Sequence, residues 1–341
     1  MSNRLDVFWA VDVYNSGVDL SSYQYQFLAQ GDSWFSTNTL KANSTNMLKN
    51  MFFSKRAAAV NCAYPGRTLG RMAGLPATSL LARDERFQGY LNGPREQWWS
   101  ALLLSGGGND LINALQLLPG QVDRELPTDC RLLLTEEEWG PDGDVKRYIR
   151  EEGWNVFAAY LVQQYNAISQ LRAASKYNKD TPIVTHVYDL AMPRDVGAGL
   201  TFGPWLYEAL TAYEIPTEAW KGLTIEFMQR LAGVICALDF NPPVGTRIAP
   251  PFAIAPLENF HVVWTQGTLV PAEVNAPGAT DDWENEIHPT KEGYVQLGKK
   301  IVAVTEPLCD ARLPLSLMKS MPLERFRTRR ENWKDYDGPR L

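Results

Sequence analysis

A chain of 341 residues, 45% hydrophobic and 21% charged, carries enough apolar side chain to bury a sizeable core, which excludes disorder, collagen and coiled coil as descriptions of the whole. Its net charge of −6 lacks the basic footprint of a general nucleic-acid binder, so no nucleic-acid partner is expected. The dispersed cysteines (Cys62, Cys130, Cys236 and Cys309) form no CxxC pair and read as buried small side chains rather than a zinc site or a disulfide framework.

Residues 1–24 read as an N-terminal extension. Acidic residues interrupt every apolar run between Met1 and Leu20, so no signal peptide is visible, and no later run approaches the ~18 apolar residues of a membrane span. The expected location is cytoplasmic, or outside the cell by a leaderless route or after removal of a leader, and the compartment stays open.

The first apolar run is Tyr25–Ala29, ending at Gln30-Gly31-Asp32-Ser33. Ala57–Val60 follows and runs into Asn61-Cys62. The third run, Trp98–Leu104, ends in Ser105-Gly106-Gly107-Gly108. The fourth and fifth are Ile183–Val187 and Phe260–Trp264. Each is short, rich in branched or aromatic residues and bounded by turn formers, the pattern of buried strands in a parallel sheet. Between and after them, three sets keep helical spacing: Phe157 to Leu171, Phe227 to Leu238, and Tyr294 to Leu308. The alternation predicts an α/β fold with a mainly parallel sheet and helices on both faces. The main domain is drawn over 25–310. Two stretches, about 118–153 and 191–251, are long for plain connections and read as insertions over the carboxyl ends of the strands. Residues 311–341 form a charged tail.

Of three histidines, His186 and His261 lie inside strand patterns and read as core or strand-end residues. His288 precedes Pro289 just before the last amphipathic helix, which puts it on a loop at a helix start, where an imidazole can act as a base. Ser33 follows a strand directly and is the candidate nucleophile. Two glycine turns, around Gly66 and over Gly106–Asn109, suit close backbone approach. The Gly66 N–H and the Asn109 amide could both face a developing oxyanion. The triple glycine has neither G-x-G-x-x-G nor G-x-x-x-x-G-K-[ST] spacing, which makes a nucleotide site the weakest of the readings.

Gly31-Asp32-Ser33, Gly66, Gly106 to Asp110 and His288-Pro289 occur in the order of the blocks of the SGNH hydrolases, also called GDSL esterases and lipases, and the chain resembles that superfamily from about Tyr25 to Leu308. The resemblance implies a three-layer α/β/α fold with about five strands in flavodoxin-like order. It also implies hydrolysis of carboxylic esters through an acyl-enzyme, without metal or organic cofactor. Ser33 would then be the nucleophile and His288 the base, with Ser33 N–H, Gly66 N–H and Asn109 as the oxyanion hole.

One departure stands out. The family usually has aspartate three residues before the histidine, and here that residue is Asn285. Replacing the triad aspartate of a serine protease by asparagine costs about 10⁴ in rate, because the wrong tautomer is held. Three readings stay open. Asp282 reaches back to orient His288, Asn285 or a backbone carbonyl does so instead, or the enzyme is weak. Asp282 ranks ahead of Asn285, and Glu286 last. Trp34 and Tyr64 are candidate substrate-binding residues, with Trp205, Tyr207, Tyr213 and Trp220 crowding the second insertion. The substrate class is a lipid, aryl or acyl-carbohydrate ester. The alternative is a catalytically weak or inactive binding protein for carbohydrate or lipid on the same fold. Oligomeric state is not legible in the sequence.

Overall fold

The computed structural model describes residues 2–36, 45–74, 85–199 and 202–312, so the tail beyond Arg312 lies outside the described residues. In chain order the strands and helices begin with β1 (Asn3–Arg4), β2 (Asp6–Trp9), α1 (Ala10–Ser16), β3 (Tyr25–Gly31), β4 (Phe52–Phe53) and β5 (Ala57–Asn61). Then come α2 (Leu69–Ala73), α3 (Glu85–Leu91), β6 (Ala101–Ser105), α4 (Gly108–Gln116) and α5 (Glu151–Ala173). The chain continues through β7 (Ile183–His186), α6 (Leu206–Ala212), α7 (Thr217–Ala237), β8 (Phe260–Val263) and α8 (Lys291–Arg312).

Six strands form one parallel sheet in the order β2-β5-β3-β6-β7-β8, and β1 pairs with β4 in a small antiparallel ribbon. β5 and β6 are buried at every position, because helices cover both faces and no strand residue can face water. α8 lies across β6, β7 and β8. From α5, Tyr165 sets its ring against Phe260 of β8 at 5.6 Å and donates its hydroxyl to Gly106 O at 2.8 Å. The fold is thus a three-layer α/β/α sandwich with a parallel sheet. No described helix is long and apolar enough to cross a membrane. All four cysteines are buried, and none is in a disulfide.

The sixth strand, β2, falls in the segment set aside as an N-terminal extension. It pairs only with β5, at the sheet edge, and one side of it meets solvent. An edge strand needs no continuous apolar run, so Asp-Val-Phe-Trp does not stand out in the sequence. The second insertion, read as lying over the carboxyl ends of the strands, also reaches the helical layer. It contains α6 and α7, and α7 packs against α5, joined by Arg230, which makes two 2.7 Å bonds to Glu151.

The strand order positions the site. From β3 the chain steps outward to β5 and then crosses back to β6 on the other side of β3. Where the order reverses, the carboxyl ends of neighbouring strands part and open a crevice. Gly31 and Ser105, the last residues of β3 and β6, are register partners there. A Cβ on Gly31 would stand 2.9 Å from the Ser105 carbonyl oxygen, so the two chains can close on one another only with glycine at that position.

A second close approach gives a stability test. Ile248 N–H donates to Gln229 O at 3.2 Å, which lays the segment after α7 back along that helix, and a Cβ on Gly233 would stand 1.7 Å from Ile248 O. In an unobstructed helix, glycine to alanine stabilises by about 0.5–1 kcal/mol. Here the clash reverses the sign, and Gly233→Ala is expected to destabilise by about 1–3 kcal/mol, read as a lower Tm. A raised Tm would mean that the Ile248 segment does not lie against α7.

Candidate active site

Ser33 sits on the turn that leaves β3 at the crevice. Asp32 holds this turn rather than taking part in it as a free carboxylate. Its backbone N–H donates to Ser105 O at 3.1 Å. Its carboxylate accepts from Trp34 N–H at 3.0 Å, from the Ser105 hydroxyl at 3.0 Å and from the Tyr188 hydroxyl. Burial pushes the Asp32 carboxyl up to about 6. Trp34, the next side chain along, stacks on the His186 ring at 5.4 Å and donates its indole N–H to Ile287 O at 3.1 Å. The Ser33 turn is thereby tied directly to the loop that carries His288.

That loop closes on itself before α8. Thr290 N–H donates to Asp282 O, and Glu284 N–H donates to His288 O at 2.9 Å. The closure brings the His288 imidazole to Ser33, with the serine hydroxyl donating to Nε2 at 2.7 Å across 255 positions of sequence. On the other side of the ring, Nδ1–H donates to Asn285 Oδ1 at 2.9 Å. The asparagine cannot be reversed. The same Oδ1 also accepts the backbone N–H groups of His288, at 3.0 Å, and Ile287, at 3.2 Å, and an amide nitrogen could accept neither. Two backbone donors therefore hold the oxygen toward the ring, which fixes the proton on Nδ1 and leaves the Nε2 lone pair facing the serine. The tautomer problem of an asparagine-bearing triad does not arise here. What the asparagine withholds is charge. Burial pushes the imidazole down to about 3, and no carboxylate stands at Asn285 to oppose that.

Asp282, ranked first to orient the imidazole, is engaged elsewhere. Its backbone carbonyl sits at the foot of the loop, and its carboxylate accepts Val270 N–H and the Gln296 amide, both at 2.9 Å. Loop closure through that carbonyl leaves the side chain directed at those two partners instead of at His288. Glu286 points away from the ring, toward α6. Its carboxylate accepts the N–H groups of Trp205, Leu206 (3.0 Å) and Tyr207 (2.7 Å), together with Arg194 N–H at 3.1 Å. It thus caps the amino end of α6 and ties the second insertion to the histidine loop. Burial pushes it up to about 7. Arg194 adds a guanidinium bond to Asn285 O. Trp205 completes the surround, edge-on to the His288 ring at 5.5 Å.

Asn109 lies at the start of α4 and lines the cavity beside Ser33. One of its amide hydrogens goes to Arg67 O at 3.1 Å, which fastens the Gly66 turn to α4 and leaves the second hydrogen for a ligand. Gly66 itself is on an exposed turn with φ +71° and is not among the residues lining that cavity. Ser33 N–H makes no hydrogen bond among the described residues. Trp34 lines the cavity, whereas Tyr64 does not. The Tyr64 ring is 56% exposed on the Gly66 turn with the Arg67 guanidinium over it, which removes it from the wall around Ser33. His186 is buried, with Nδ1 on Val187 O and Nε2 on the Ser105 hydroxyl, and His261 is half-buried in β8. Sequence reading missed Tyr188, Ser105 and Arg194, whose work is done through contacts distant in the chain. Only Glu286 left a signal, as an acid beside His288 in a loop otherwise bound for the interior.

No family model matches the sequence, and no curated protein matches it. Among solved structures, the chain is distantly similar to an aryl esterase of M. smegmatis, at 11% identity and a TM-score of 0.40, over 84% of this chain and 99% of that one. It is also similar to an extracellular lipase of Streptomyces rimosus, at 13% identity and a TM-score of 0.34, over 85% and 100%. These are likenesses of fold outline, and what the site can do rests on its own residues.

A base that must be neutral, and that burial holds near 3, works well below the ordinary imidazole range. The acid limb of kcat/KM for a neutral ester is therefore expected below about pH 5, with a level profile from there to pH 8. Asn285→Asp places a charge at Nδ1 and is expected to raise that limb by about 1–3 units. An unmoved limb in the variant would mean that residue 285 does not face the working imidazole.

Proposed function

We propose that this chain is a serine hydrolase of SGNH type that cleaves carboxylic esters. The observation that carries the reading is the 2.7 Å contact between Ser33 Oγ and His288 Nε2, with Nδ1–H committed to Asn285. In this mechanism the imidazole takes the hydroxyl proton as Ser33 attacks the ester carbonyl. The oxyanion forms beside Ser33 N–H and the free hydrogen of Asn109, whereas Gly66, on an exposed turn outside this cavity, is left out of the hole. The imidazolium then returns its proton to the departing alcohol. Water, deprotonated by the same imidazole, attacks the acyl-enzyme and frees the acid and the serine.

The missing negative charge bears on the rate. An imidazolium forms beside a neutral oxygen instead of a carboxylate, so its formation is stabilised by a dipole alone. That predicts modest turnover, not inactivity. The absence of aspartate at position 285 is the main support for a non-catalytic binding protein, and an asparagine oxygen placed at Nδ1 weakens it, since it suits the required tautomer.

Ser33→Ala is expected to lower hydrolysis of short-chain nitrophenyl esters by at least about 10³-fold with an unchanged Tm, and Asn109→Ala by about 10²–10³ with a small fall in Tm from the lost bond to Arg67 O. A fluorophosphonate should label Ser33 in the wild-type protein, read by mass spectrometry. Absence of labelling, together with retained activity in Ser33→Ala, would refute the assignment. Absence of both labelling and hydrolysis, with carbohydrate or lipid retained, would establish the binding protein instead.

A further inference from the structure

The cavity beside Ser33 runs inward between α4, α6 and α7. Its inner wall is Leu111 of α4, Leu206 of α6 and Met228 of α7, with Ile112, Trp34 and Ile287 nearer the serine. Its volume is about 40 Å³. A second, smaller void of about 10 Å³ lies immediately behind. Leu111, Leu206 and Met228 line both spaces, so these three side chains form the partition between them. All three are buried.

Apart from Ser33 and Asn109, which face the reacting carbonyl, the polar side chains on the wall are already committed. Asp189 accepts the N–H groups of Gly267, Thr268 and Leu269, and the Tyr188 hydroxyl donates to Asp32. A ligand group entering this space therefore meets an apolar surface. The two halves of an ester make different demands on such a space. The alcohol must collect a proton from His288 and leave to solvent, which requires an exit. The acyl group stays bonded to Ser33 until water attacks, and it can occupy a blind end. An apolar recess beside the nucleophile, ended by the Leu111, Leu206 and Met228 partition, fits the acyl half.

Size sets its length. A single water needs roughly 10–15 Å³ by the same measure, so 40 Å³ has room for about three atoms of methylene size, and the partition stops the chain there. Resting on the reading of Ser33 as an acyl-forming nucleophile, we infer that this recess is an acyl pocket for short chains, acetyl to butyryl, and that Met228 and Leu206, both supplied by the second insertion, set the limit. The same carboxylate that accepts Leu206 N–H, Glu286, stands two residues from His288, so the pocket wall and the base are held in one frame.

The experiment is a chain-length series of 4-nitrophenyl esters from acetate to octanoate, measured as kcat/KM with active sites counted by fluorophosphonate titration. In the wild type, kcat/KM is expected to fall at least about tenfold between butyrate and octanoate, since a methylene without space costs about that much. Met228→Ala opens the partition onto the void behind it and is expected to move the optimum toward hexanoate or octanoate. Ala191→Val, on the wall near the serine, narrows the recess and is expected to favour acetate over butyrate by about tenfold. The second variant keeps the inference testable if the first does not fold. A wild-type optimum at octanoate, or a profile that neither variant moves, with Ser33 still titrating, would overturn the acyl pocket and leave the nucleophile standing. No titration and no hydrolysis of any ester would overturn both.

Discussion

The backbone N–H groups of Ile287 and His288 both point at one oxygen, Asn285 Oδ1, and that convergence governs the site. It dictates which end of the amide meets the imidazole, hence which ring nitrogen carries the proton, hence which one is left to accept from Ser33. Each step follows because a backbone N–H can only donate and an amide nitrogen cannot accept. The tight loop from Asp282 to Thr290 makes the convergence possible by bending the chain back on itself. An asparagine held this way keeps the geometry of a catalytic triad and gives up its charge, which leaves a neutral, buried imidazole of unusually low basicity.

The surroundings continue the same economy. Asp32, Asp110 and Glu286 are buried carboxyls at or beside the site, raised by burial to about 6, 7 and 7, and each is held chiefly by N–H and hydroxyl donors. Asp110 accepts Leu69 N–H through both oxygens and the Tyr160 hydroxyl at 2.8 Å, joining α2 to α4. Asp32 shapes the Ser33 turn, and Glu286 caps α6. Each carboxyl fastens one loop at the carboxyl ends of the strands to an element from another part of the chain. Burial of an acceptor-only group is tolerable where several donors meet it, and these loops provide them. The result is a rigid floor under Ser33 and a fixed distance between the histidine loop and the second insertion.

Much of this was legible in the chain. β5 and β6 read as continuous apolar runs because they are covered on both faces. α5 and α8 show their periods because each offers one stripe to the interior, whereas the second half of α7 is buried all round. Ser33 and His288 stand out because each follows a turn signal at the end of a strand or the start of a helix. Less could be read at the edge, where β2 has a neighbour on one side only. Tyr64 looked like a wall residue from its place near Gly66, yet an exposed turn carries its ring away from the crevice. Asp282 reads ahead of Asn285 because an acid would supply charge to the imidazole, and spacing along a loop says nothing of how the loop closes.

Local preference therefore determined the alternation of strands and helices, the layered class, the turn that offers a hydroxyl and the loop that offers an imidazole, because those depend on neighbours within a few residues. The partner of His288, the capping role of Glu286 and the depth of the recess behind Ser33 were decided by the tertiary structure alone. Each depends on where a hydrogen bond or a side chain from a distant segment arrives, and direction in space is a property that one-dimensional spacing does not carry.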